Sequence, residues 1–378
     1  DLVSSRGLGD VYKRQGQASS SNGGDIGIMS GFSDSTNSGD VSIGTDKAGA
    51  AGVSGSMSLA TGKTTAGTSG TIGVHTGEGV GGAGGSIEVS VGAGDFGDGG
   101  DINLSAGSTV YDGSSGGRIA LHAGQGVNEN AGPMGISGGD IELTAGEAFY
   151  GLGGANDLGG NVIVNGGESE MGIGGNIKLT SGYGVAQTSG MIELSTANAG
   201  VSGVSGLIDL KTGSTSAGES GKIELETGEG VGGSGGDIRM AVGTGNTGNG
   251  GDVLVRAGET TDTTSTGGKI ELVGGMGSNV DSYGGGIGGD IILTGGEALG
   301  ANNATDVGGD LMFTGGRASN ARGGDVALST GYSDATNSGS MRLATVDSGS
   351  SGVSGNMSLV TGSTSAGESG KIELETGE

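Results

Sequence analysis

Gly221-Lys222-Ile223-Glu224-Leu225-Glu226-Thr227-Gly228 is the stretch whose reading decides the fold. Written generally it is Gly-x-aliphatic-x-aliphatic-x-small-Gly, and the pattern recurs from Gly24 to the last residues. The first aliphatic falls at 26, 41, 57, 72, 87, 102, 119, 141, 162, 177, 192, 208, 223, 238, 253, 270, 291, 311, 326, 341, 357 and 372, which makes 22 repeats mostly 15 or 16 residues apart. An array of fixed period is one structure however long it grows. Residues 23–378 are therefore read as one continuous repeat domain, although 378 residues would otherwise suggest two.

Let the first aliphatic be position 0. Positions 0 and 2 hold only Ile, Val, Leu, Met or Phe, and Phe313 is the one aromatic among them. Position 4 is small or β-branched throughout, as at Ser30, Thr45, Val91 and Ala106, while positions 1 and 3 vary freely. Period-2 alternation over five residues predicts a half-buried strand with 0, 2 and 4 facing inward. The residue two before position 0 is glycine in every repeat, for example Gly24, Gly39, Gly55, Gly70, Gly85, Gly100, Gly221 and Gly236. Two causes would impose it: a corner with φ > 0, or a backbone approached too closely for a Cβ.

A period near 15 is too short for a strand–helix unit, and no 3.6-residue pattern is present. It predicts an all-β fold: a single long β-solenoid, parallel β-helix-like, of 22 coils. With the inter-strand spacing as the rise, the array would extend roughly 105 Å, with its aliphatics stacked in a continuous spine. A longer period sits above the first. Position 5 is glycine except at Asp46, Ala197 and Val346, which are one nine-repeat block of about 150 residues apart, and Thr212–Glu229 is identical to Thr361–Glu378. Two long repeats per block carry insertions, at 125–137 and 148–158 and again at 276–287 and 298–307. Loop ridges of that kind often mark a contact face in repeat proteins.

Composition narrows the partners. The net charge is −26, from 42 acidic and 16 basic residues. Nucleic acid needs a basic footprint to neutralise phosphate, and none exists here; an anionic membrane surface is disfavoured for the same reason. No apolar run is long enough to span a membrane. Cysteine is absent, so there is no disulfide framework and no thiolate chemistry. Ninety-seven glycines without a period would suggest disorder, but here they are periodic and interleaved with aliphatics. Residues 1–22 lie outside the repeat as a leader, and no secretory signal is visible in them. Because the array stops partway through a block without a polar cap, an internal fragment of something longer is expected.

Chemistry is sparse. Glycine runs such as Gly230–Gly236 precede strand patterns rather than helices, and no Gly-Lys-Ser/Thr comes after them, so no phosphate loop is expected. Gly-Gly-Asp corners at Asp101, Asp237 and Asp252 resemble calcium-binding nonapeptide repeats. The same column, however, also holds Arg118, Leu207 and Lys222, which no ligand column tolerates. Asp290, Asp310 and Asp325 occupy three successive repeats and are the candidates for a loosely bound Ca2+; no other metal or cofactor is expected. His75 and His122 stand three repeats apart, and no catalytic grouping can be assembled from them, so no enzyme is expected. Asn103, Asn303 and Asn356 open Asn-x-Ser/Thr sequons and are the candidate glycosylation sites.

Repeats with Gly-Gly-Asp-Ile-x-Leu strands, as at Gly99–Leu104, resemble those of giant surface adhesins and extracellular filament proteins. The resemblance covers residues 23–378, carries no site residues, and implies a secreted structural role. Residues 1–15 resemble a translated sequencing-library linker instead. The function expected from the sequence is a non-catalytic solenoid at the cell surface or outside the cell. It would build a filament, appendage or adhesin stalk by self-assembly, with glycans as further partners. The alternative is an ice- or surface-binding solenoid.

Overall fold

The structure is a computed structural model. It describes residues 22–127, 137–148, 157–281, 283–302 and 305–377. The chain divides into two units, Asp1–Leu194 and Ser195–Glu378.

The β-solenoid expected from the sequence is not what forms. Among the described residues there is no strand and no helix. The five-residue segments are irregular chain, and among the described residues no hydrogen-bonded ladder links equivalent positions of successive repeats. Nor is there an aliphatic spine, because no apolar side chain is buried among the described residues. The chain presents 38223 Å² to solvent, where a compact chain of 35.6 kDa would present about 13,000 Å² and a fully extended one about 52,000 Å².

The physical reason lies in where the backbone bonds go. A solenoid would pair position 0 with the next position 0, about fifteen residues on. The bonds that form instead join position 5 of one repeat to the glycine two before position 0 of the next. Gly39 donates to the carbonyl of Gly31, Gly117 to Gly107, Gly175 to Gly167 and Gly324 to Gly316, all at 2.8 to 3.0 Å. Each is a single bond at the neck of a loop rather than a rung in a series. Two large aliphatics per fifteen residues are also a thin driving force for ordering a chain this rich in glycine, which loses more backbone freedom on folding than any other residue.

Alternation survives locally without a sheet. In Ile291-Ile292-Leu293 the outer pair are each 51% exposed and the middle residue 81%. Leu311-Met312-Phe313 reads 54, 83 and 61%. Side chains at positions 0 and 2 therefore share a more sheltered side, as period 2 requires. Four of the five ion pairs among the described residues occupy the other side. Lys211 meets Asp209 and Lys269 meets Glu271, each at 2.5 Å, and Lys222 pairs with Glu224 and Lys371 with Glu373. All four are two residues apart at positions −1, 1 or 3.

The nine-repeat block has a structural counterpart. Thr64 Oγ1 accepts from the Ala66 amide, and the same turn recurs at Thr215–Ala217 and Thr364–Ala366, each at 3.3 Å. Three residues beyond each threonine stands a glycine with positive φ: Gly67 at 112°, Gly218 at 117° and Gly367 at 130°. Ser33 and Thr36 share a hydroxyl bond of 2.8 Å, as Ser333 and Thr336 do at 3.0 Å. The loops after Asp46, Ala197 and Val346 share a turn in which Gly52, Gly203 and Gly352 donate to Gly49, Gly200 and Gly349.

Candidate functional site

The repeated feature that carries local order is the loop neck, and it is built from three positions: 4, 5 and the corner glycine of the next repeat. Corner glycines are not the positive-φ residues. Those lie further out in the loops, at Gly67, Gly81, Gly97 and their block counterparts and at Gly113. What the corner glycines meet is the preceding repeat. A Cβ on Gly175 would stand 2.9 Å from the Gly167 nitrogen, and one on Gly100 would stand 2.9 Å from Val91 Cγ1. For Gly39, Gly55, Gly70, Gly85, Gly221 and Gly236 the nearest atom is the position-4 side chain, at 3.3 to 3.5 Å. Gly24 has no preceding repeat.

The size of position 4 sorts the necks into two kinds. Where it is Ser30, Ala106, Ala123, Ala145, Gly166, Ser181, Ala257, Gly274, Gly295 or Gly315, the backbone bond forms. Where it is Thr45, Thr61, Thr76, Val91, Thr196, Thr212, Thr227, Val242, Thr345 or Thr361, no such bond is present. The branched side chain places a methyl group against the corner glycine, as Thr196 Cγ2 does at 3.2 Å from where a Gly206 Cβ would be, and holds the two backbones apart. Two branched necks use the hydroxyl instead: Thr76 Oγ1 donates to the Gly85 carbonyl and Thr227 Oγ1 to Gly236, both at 3.1 Å. Thr330 is the exception that explains the rule. Its Cβ, not its Cγ2, is the atom nearest Gly339, so the methyl is turned aside and Gly339 still donates to Gly331 at 2.9 Å.

All four insertions hang from necks of the small kind. Gly139 donates to Gly124, Gly160 to Gly146, Gly289 to Gly275 and Gly309 to Gly296, at 2.8 or 2.9 Å. Beyond the neck, the 276–287 loop is organised by Asn279. Its side-chain amide donates to the Gly284 carbonyl at 2.6 Å and its Oδ1 accepts from the Asp281 amide at 2.9 Å. In the 298–307 loop the Asp306 carboxylate accepts from the Asn302 amide at 2.6 Å, and a Cβ on Gly300 would collide with that carboxylate.

The three aspartates expected to hold a cation loosely stand in different surroundings. Asp325 accepts from Arg322 at 2.6 Å. Asp290 borders an open groove with Asp237, Ile238, Arg239 and Val273, and Asp310 is solvent-exposed. Among the described residues no three His, Asp or Glu side chains converge to hold a metal ion. His75 and His122 are exposed, as are Asn103 and Asn356, whereas Asn303 lies outside the described residues. No helix among the described residues is long and apolar enough to cross a membrane.

One carboxylate that the sequence reading passed over has a built environment. Asp262 accepts from the Ser265 hydroxyl and, at 3.1 Å, from that of Thr264; these bonds, Ser265 first, hold its carboxyl below the usual carboxylate range. The signal was present as Asp262-Thr263-Thr264-Ser265, a local hydroxyl-to-carboxylate turn. Comparison with protein-family models, curated proteins and solved structures finds no match for the chain.

Proposed function

We propose that this chain is a non-catalytic structural protein of an extracellular filament, surface appendage or adhesin stalk. It would work by presenting one short unit many times and assembling with other chains like itself. The observation that carries the reading is the recurrence of the same local geometry from block to block. The turns at Thr64, Thr215 and Thr364, the paired hydroxyls at Ser33 and Ser333, and the clasps at Thr76 and Thr227 repeat one small design. Catalysis needs different groups converging on one point; periodic display serves mechanical or adhesive roles, where many equal contacts add up.

The corner glycines are structural in this reading, and the sequons at Asn103, Asn303 and Asn356 are where glycans would attach. Electron microscopy of the purified chain at neutral pH and physiological salt is the test. Filaments or bundles are the expected result. Dispersed particles would overturn the reading, and dispersed particles together with thermal hysteresis would put an ice-binding protein in its place.

A further inference from the structure

Three asparagines stand directly before glycine, in the pairs Asn22–Gly23, Asn165–Gly166 and Asn249–Gly250. Glycine in second place leaves the amide nitrogen unshielded by a Cβ, which favours attack by that nitrogen on the asparagine side chain. The necks treat the two pairs inside the repeat array differently. We infer that Asn249 is a site of self-modification, converting to aspartate and isoaspartate, and that the closed neck beside Asn165 protects the same dipeptide there. The inference does not depend on the proposed structural role.

The reaction needs only water. Base takes the Gly250 amide proton, and the nitrogen attacks Asn249 Cγ, forming a new C–N bond and a cyclic imide. The bond from Cγ to the side-chain nitrogen breaks, and that nitrogen leaves as ammonia with the proton the base had taken. Water then opens the ring at one of its two carbonyls. Attack at Cγ leaves aspartate in an unchanged main chain. Attack at the Asn249 carbonyl carbon leaves isoaspartate, with the main chain rerouted through the side chain. Water enters, ammonia leaves, and either product adds a carboxylate to a chain of net charge −26.

In neither pair is the glycine amide hydrogen-bonded among the described residues, so the attacking nitrogen is available in both. What differs is the room to turn. Ring closure rotates the peptide that joins the two residues, and the glycine swings with it. At Asn165 that swing is obstructed: Gly166 is half-buried, and a Cβ on it would stand 2.3 Å from the Gly175 carbonyl oxygen. The next residue, Gly167, accepts from the Gly175 amide at 2.8 Å, so rotating the peptide means opening the neck. At Asn249 no such clasp stands in the way. Asn249 and Gly250 are exposed, and a Cβ on Gly250 would meet nothing within 4 Å. The corner glycine after them, Gly251, faces a methyl of Val242 in a neck without a backbone bond. Asn22 stands before the first repeat, where a Cβ on Gly23 would also meet nothing within 4 Å, and is the open reference.

The test is to incubate the full chain at mildly alkaline pH and follow each asparagine by mass spectrometry of its proteolytic peptides. A net hydrogen bond shifts an equilibrium by about 2- to 13-fold, so conversion at Asn165 should lag that at Asn249 by about this factor. Asn22 should keep pace with Asn249. Denaturant should bring the three together, because the same residue follows each. Gly175→Ala, whose Cβ would stand 2.9 Å from the Gly167 nitrogen, should part the neck and raise the Asn165 rate toward that of Asn249. Conversion at Asn165 as fast as at Asn249 in the native chain overturns the inference. So does a lag that persists in denaturant or that Gly175→Ala leaves unchanged, and so does an Asn249 that stays intact while Asn22 converts.

Discussion

Repeats 2–5 and repeats 6–10 have the same alternating segment and differ at one place. The first run carries Thr45, Thr61, Thr76 and Val91 at position 4; the second carries Ala106, Ala123, Ala145, Gly166 and Ser181. Only the second closes its loops with backbone bonds. The next block repeats the division, with Thr196, Thr212, Thr227 and Val242 set against Ala257, Gly274, Gly295 and Gly315. A branched methyl set against the corner glycine thus keeps two backbones apart, and at Thr330, where the methyl is turned aside, they still meet. The insertions all fall in the small-residue run, where the closed neck holds the loop ends together against the entropy of a longer loop.

The largest effect is expected where a methyl group would have nowhere to go. Gly166→Ala drives a Cβ into the Gly175 carbonyl oxygen, which is backbone and cannot rotate away. Overpacking of this kind costs about 1–3 kcal/mol, so exchange of the Gly175 amide should accelerate roughly 5- to 150-fold. Gly251→Ala meets only Val242 Cγ1, at 2.8 Å, and rotation of that side chain should keep the change well below the first. Equal effects at the two sites would erase the distinction between the neck types.

A smaller effect comes from exchanging the two kinds. Ala145→Thr should part Gly160 from Gly146, and Thr76→Ala should bring the Gly85 amide to the Gly77 carbonyl. A net hydrogen bond is worth about 0.5–1.5 kcal/mol, so amide exchange at Gly160 should rise about 2- to 13-fold and that at Gly85 should fall by a similar factor. If neither amide responds, the size of position 4 is not what closes the neck.

The smallest effect separates equivalent loops of the two blocks. Thr109 Oγ1 accepts from the Tyr111 amide as Thr260 Oγ1 does from Asp262, each at 3.2 Å, but only in the second loop is the residue that donates this amide an aspartate. Because the folded pKa of Asp262 is depressed, its loop is fully supported above the ordinary carboxylate pKa and loses that support as pH falls through the depressed value. In a carboxylate NMR titration Asp262 should have its midpoint below that of an ordinary aspartate, and Ser265→Ala should raise it. A midpoint at the ordinary value would mean that the hydroxyl clasp is absent.

The period, the glycine at every corner and the nine-repeat block were legible in the sequence, because each is a matter of spacing. Of the two causes open for the corner glycines, positive φ holds at none of those described, and close approach holds at Gly100, Gly175 and Gly251, whereas a Cβ at Gly39, Gly70 or Gly236 would make only ordinary contacts. The pairing of the segments was not legible. Alternation states which side of Ile223 and Leu225 is sheltered, but not which backbone lies beside them, and the register of a strand depends on that neighbour. A period of 15 satisfied a stacked coil on paper while the neck bonds ran across loops. The position-4 column was read as one inward row, since small and β-branched residues both suit an inward strand position. Its division into Thr/Val and Ala/Gly/Ser runs was visible in the letters all along, in step with the insertions at 125–137 and 276–287.

The clasp between Gly124 and Gly139 spans almost twice as much chain as the one between Gly31 and Gly39, and it has nearly the same length. The corner glycine thus meets the preceding repeat in the same way whatever the length of chain between them. Codons can be gained or lost there without disturbing that repeat's phase, so these loops are where such an array can diversify, or accept a grafted peptide, while the rest stays in step.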